Sequence, residues 1–75
     1  MYKVIFTSWQ PGLQKISLAQ LLYEKADFRG PTAKECVDRL LEGEGFTVEL
    51  STVQDANDLA SSATELGAVC HVEPD

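Results

Sequence analysis

Hydrophobic positions along this chain switch back and forth between two spacings, and the switches mark out the elements. Tyr2 to Thr7 is rich in β-formers, with Val4 and Phe6 on one face and Lys3, Ile5 and Thr7 on the other, which predicts a strand. Ser8 to Gln14 breaks the pattern, and Pro11-Gly12 signals a turn, so Trp9 falls at the strand end or on the loop. Leu18, Leu21, Leu22 and Ala26 then follow helical spacing. Ser17 with Gln20 three residues on fits a capping box and predicts a helix over 17–25. Asp27 to Gly30 ends it.

Pro31 suits the first turn of a second helix, where its missing N–H has no partner to lose. Thr32 with Glu35 offers an alternative start. Ala33, Cys36, Val37, Leu40 and Leu41 form its apolar stripe, opposite Lys34, Glu35, Asp38, Arg39 and Glu42. Lys34 with Asp38, and Glu35 with Arg39, stand four apart and are expected to pair weakly. Gly43 and Gly45 stop the helix. Phe46, Val48 and Leu50 alternate with polar residues as a second strand. Ser51 or Thr52, with Gln54 or Asp55 at capping-box distance, opens a third helix whose stripe is Ala56, Leu59, Ala60, Ala63 and Leu66. Gly67 ends it, and Ala68 to Glu73 alternates as the last strand before Pro74.

The order β-α-α-β-α-β predicts a two-layer α/β (α+β) architecture. One helix separates the last two strands, so a right-handed parallel crossover is expected between them. The simplest sheet slots the first strand in the middle, antiparallel to both, with three helices on one face. The other face would carry Lys3, Ile5, Thr7, Thr47, Glu49, Val69, His71 and Glu73 and stay open. The 75 residues suffice for one domain, over 1–75, and leave little room for a deep substrate cavity.

Twelve acidic and six basic side chains give a net charge of −6. The six cations are scattered among acids, which argues against nucleic acid and against anionic membranes. No apolar run approaches the ~20 residues needed to span a bilayer. No secretory pattern begins the chain, so a cytoplasmic protein with reduced Cys36 and Cys70 is the expectation, with a Cys36–Cys70 disulfide as the alternative.

Catalytic chemistry lacks parts. His71 follows Cys70, and neighbours on a strand point to opposite faces, so the pair does not build a metal site. Cys36 lies on an apolar stripe without a base, and the acidic pairs Glu42 and Glu44, and Asp55 and Asp58, sit on solvated ends. Gly43-Glu44-Gly45 lacks the lysine of a phosphate loop. No cofactor, no metal and no enzyme activity are expected.

Several short motifs resemble a known fold. Lys15-Ile16-Ser17-Leu18 to Leu22, Thr32-Ala33-Lys34-Glu35-Cys36-Val37-Asp38 and Leu66-Gly67-Ala68 resemble the C-terminal domain of the bacterial ribosomal stalk protein. The tail Cys70-His71-Val72-Glu73-Pro74-Asp75 is similar to that of the Clp protease adaptor, which shares that fold. The resemblance implies a stand-alone bacterial member of the fold that binds proteins through its first two helices. Of the stalk domain's basic docking positions only Lys34 is matched; Gln20 and Tyr23 stand at others, and Asp27-Phe28-Arg29-Gly30 replaces its glycine-rich loop. The Clp adaptor's client-binding acidic turn is replaced by Thr7 to Gly12, and no His stands near Leu40 or Leu41.

Surface apolar groups are therefore the candidate chemistry. Tyr23, Phe28, Arg29 and Lys34 would form a docking patch on the first two helices, and Trp9 is a further candidate, because aromatics and Arg dominate binding hot spots. The other reading, favoured for Trp9, is a ring folded over the sheet edge as a lid on the core, and Phe28 has the same two readings. Ile5 and Val69 on the open sheet face would support a homodimer. The leading expectation is a protein–protein adaptor. The alternative is a small acidic immunity or inhibitor protein that masks a basic partner with Glu35, Asp38, Glu42 and Glu44.

Overall fold

A computed structural model describes residues 1–26 and 30–74, with Gly30 and Pro31 described by their helical backbone alone. The elements are β1 (Tyr2–Trp9), α1 (Lys15–Lys25), α2 (Gly30–Leu41), β2 (Phe46–Leu50), α3 (Val53–Glu65) and β3 (Ala68–Pro74). The sheet order is β2-β1-β3, and β1 runs antiparallel to both neighbours. The architecture is the α+β one expected, with its element order. Val4 faces Val48 and Val72 across the two ladders, and Phe6 faces Phe46 and Cys70.

Alternation then sorts the sheet into two faces. Val4, Phe6, Val48, Leu50 and Ala68 are buried, and so are Leu18 and Leu22 of α1, Ala33, Val37 and Leu40 of α2, and Ala56, Leu59 and Ala63 of α3. These side chains form one continuous core, which puts all three helices on that face. α1 packs against both α2 and α3. Phe6 and Phe46 stack with ring centroids 4.5 Å apart. Among the described residues no polar or charged side chain is buried.

Two helix starts differ from the local capping signals. α1 begins at Lys15 and not at Ser17: Gln14 is the residue before the helix, and the Leu18 N–H donates to its carbonyl at 2.9 Å. Ser17 Oγ only reaches Gln14 Oε1, at 3.5 Å. The early start follows from tertiary anchoring. Gln10 N–H donates to Gly67 O at 2.8 Å and Gln14 N–H to Leu66 O at 3.0 Å, which pins the β1–α1 loop onto the α3–β3 turn. α2 already begins at Gly30, so Pro31 lies in its first turn and Thr32 is inside the helix. α3 does use the local signal, since Thr52 Oγ1 accepts from Asp55 N–H at 3.1 Å.

The α2 end is closed by backbone. Glu44 N–H donates to Arg39 O and Gly43 N–H to Leu40 O, each at 3.0 Å, with Gly43 at φ 90°. That is the Schellman arrangement, with glycine in the left-handed position. Gly45 has a tighter reason to be glycine. Its φ is 69°, and a Cβ there would stand 2.5 Å from the Phe6 carbonyl oxygen of the central strand.

The contrast between these glycines can be measured. Gly43→Ala has open space around it and should lose about 1–2 kcal/mol from the left-handed backbone alone. Gly45→Ala adds a backbone clash and should lose clearly more, about 3 kcal/mol or above. Urea unfolding of the two variants compares them, and equal losses would show that β1 yields freely at Phe6.

Candidate functional site

The element that builds the candidate site is α1, because its apolar residues lie on two sides. Leu18 and Leu22 are fully buried against the core. Ile16, Ala19 and Tyr23, spaced three and four apart, share the other side. Ile16 is 85% exposed and Tyr23 57% exposed, the two most exposed large apolar side chains of any helix. A helix in a small domain ordinarily turns one stripe inward and a polar side outward. α1 departs from that pattern at Ile16 and Tyr23.

Beside this second stripe lies a groove of about 480 Å³ between α1 and α2. Lys15, Ile16 and Ala19 line it from α1, and Lys34, Val37 and Asp38 from α2. Its floor is apolar and its charges stand on the rim. Lys34 and Asp38 are four apart on α2, yet they form no ion pair, and neither do Glu35 and Arg39; the weak pairs expected from spacing are not made. Lys15 likewise has no ion-pair partner among the described residues. The groove therefore presents two cations and one anion, a local excess of positive charge in a chain of net −6.

Lys34, expected as a docking residue, lines the groove. Tyr23 lies two turns along α1 from Ile16 on the same side of the helix and does not line the groove. Phe28 and Arg29 lie outside the described residues. Trp9 belongs elsewhere. The β1–β3 ladder pairs Phe6 with Cys70 but Ser8 with Val69, so β1 carries an extra residue at Thr7. This bulge rotates the strand, and Trp9 comes to pair with Ala68 on the helix-bearing side. Its indole N–H donates to the Leu41 carbonyl at 3.3 Å, at the end of α2, and the ring keeps 39% of its surface exposed. Trp9 is thus a half-covered lid and not a neighbour of Lys34 on the groove. Ile16 and the groove itself were missed from sequence. The signal was present, since Ile16 and Tyr23 stand seven apart.

The open sheet face is mostly polar. Register places Lys3 of β1 between Glu49 and Glu73, and His71 Nε2 lies 3.6 Å from Glu73 Oε1 beside it. Ile5 and Val69 are its apolar members. Three strands and about five residues span only roughly 250 Å², far below the ~800 Å² per partner of a stable interface. This face is the weaker candidate.

Both cysteines are free. Burial pushes the Cys36 thiol up, with Arg39 opposing and Glu35 adding to the shift. Burial also pushes the Cys70 thiol up, against a hydrogen bond with Thr64. Cys70 Sγ donates to the Ala60 carbonyl at 3.6 Å, which already accepts from Thr64 Oγ1 at 2.7 Å. A nucleophilic thiol needs the opposite shift. No cluster of three or more His, Cys, Asp or Glu suited to a metal occurs among the described residues, and no helix there is long and apolar enough to cross a membrane. Comparison of the sequence with protein-family models and with curated proteins finds no match.

The thiols give a pH prediction. A raised folded-state value means that the unfolded chain sheds these protons first. Their contribution to stability is therefore intact below the ordinary value of 9.0 and is lost as pH rises above it. Urea unfolding at about pH 8 and about pH 10 should show a decline that is shallower in Cys70→Ala. An unchanged decline in that variant would remove Cys70 from the effect.

Proposed function

We propose that this chain is a non-catalytic protein–protein interaction module, an adaptor similar to the ribosomal stalk domain, that docks its partner on the α1–α2 surface. The observation that carries this reading is Ile16, 85% exposed at the rim of an apolar groove. A large aliphatic side chain left in water beside a second exposed stripe residue, Tyr23, is the kind of surface that protein contacts use. The upward shift of both thiols disfavours them as nucleophiles. Phe28 and Arg29 follow α1 in the sequence and are proposed as further partner contacts on residue type alone. The partner is a protein in the cytoplasm.

A second reading is an acidic inhibitor that masks a basic surface. It is favoured by the exposed carboxylates Glu35, Asp38, Glu42 and Glu44, which have no ion-pair partner among the described residues.

Affinity capture from the host cell followed by titration of the recovered partner separates the two. For groove docking, Ile16→Glu and Tyr23→Ala should each weaken binding by about 2 kcal/mol, roughly 30-fold. Added salt should then have a minor effect. For charge masking, binding should collapse with rising salt while Ile16→Glu changes little. Full affinity after both Ile16→Glu and Tyr23→Ala would exclude the groove as the docking surface.

A further inference from the structure

The docking reading above leaves the chemistry of the partner open, and the unpaired charges of the groove narrow it. Lys34 and Asp38 have the spacing of a helical ion pair and do not make one. Both line a groove whose apolar members are Ile16, Ala19 and Val37. Lys15 adds a second cation from the other helix. An uncommitted cation and anion about 6 Å apart along one helix present an ordered charge pattern, plus then minus, to whatever lies along α2.

We propose, resting on the docking reading, that the groove selects an amphipathic helix of a partner protein that carries an acidic and a basic side chain one turn apart beside an apolar stripe. The apolar stripe covers Ile16, Ala19 and Val37. The partner carboxylate meets Lys34 and the partner cation meets Asp38, so the order of the two charges sets the direction in which the helix lies. Lys15 leaves the groove with one net positive charge, and the docking segment is correspondingly one charge more acidic than basic. Asp38 is the specificity-determining residue, because without it an all-acidic helix would serve as well. A helix laid into a groove between two helices is an established mode of peptide recognition, and charge order in such a groove is a means of rejecting wrong partners.

The test uses a yeast-displayed library of helical peptides of about four turns. Each peptide has a fixed leucine stripe, with flanking positions drawn from Glu, Lys and Gln. The intact chain, Asp38→Lys and Ile16→Glu serve as baits, each first shown to be folded by circular dichroism. The intact chain should enrich peptides with Glu and Lys one turn apart in one order, binding about tenfold tighter than the same peptides with the two charges exchanged. Asp38→Lys should enrich Glu at the position where the intact chain takes Lys, and Ile16→Glu should enrich nothing. If the intact chain and Asp38→Lys select the same peptides while Ile16→Glu selects none, the charge-order inference is overturned and the docking reading stands. If selection survives Ile16→Glu, or the intact chain selects nothing, both are overturned.

Discussion

The fold depends on one strand serving two partners. β1 pairs along its length with β2 on one edge and β3 on the other, so its inward residues Val4 and Phe6 form the centre of the floor on which α1, α2 and α3 are assembled. A chain this short has one sheet face to cover and must do so with all its helices. Crowding follows. The helices meet the sheet largely through alanine, valine and leucine, and the loops that return to β1 come so close that side chains are excluded. Gly45 against the Phe6 carbonyl is one such point. A second close approach joins the α3–β3 turn to the β1–α1 loop, where a Cβ on Gly67 would stand 3.0 Å from the Leu13 backbone.

Crowding on one side accounts for vacancy on the other. α1 contributes Leu18 and Leu22 to the core, and that contribution uses up the space available above α2 and α3. Ile16 and Tyr23 then have nowhere inside to go. The groove beside Ile16 is bounded by two helices that both contribute to the core. Its shape is a property of the scaffold, while its charges belong to side chains that the fold itself does not need.

Much of this was legible in sequence wherever a signal was local or periodic. The alternation of Phe46, Val48 and Leu50, the stripe of Ala56, Leu59 and Ala63, and the Thr52 cap all describe residues whose neighbours in space are neighbours in the chain. The sheet order followed from connection rules. What was not legible depended on contacts between distant segments. The start of α1 is set by Leu66 and Gly67 holding Gln10 and Gln14, and no capping rule contains that information. The extra residue at Thr7 exists only in relation to β3. Of the candidate residues, Lys34 and Tyr23 are expected from resemblance and residue type. Ile16 was overlooked because it precedes Ser17, which a local rule had made the helix boundary.

The bulge at Thr7 has a consequence for how the molecule can be observed. By turning Trp9 toward α2 it places the one tryptophan of the chain on the Leu41 carbonyl, partly shielded and partly wet. An indole in that position is a built-in optical gauge of the seam where α2 ends and the sheet begins. Its emission reports that junction, where the indole meets the far end of α2. The chain thus carries its own reporter for the integrity of the scaffold at that seam.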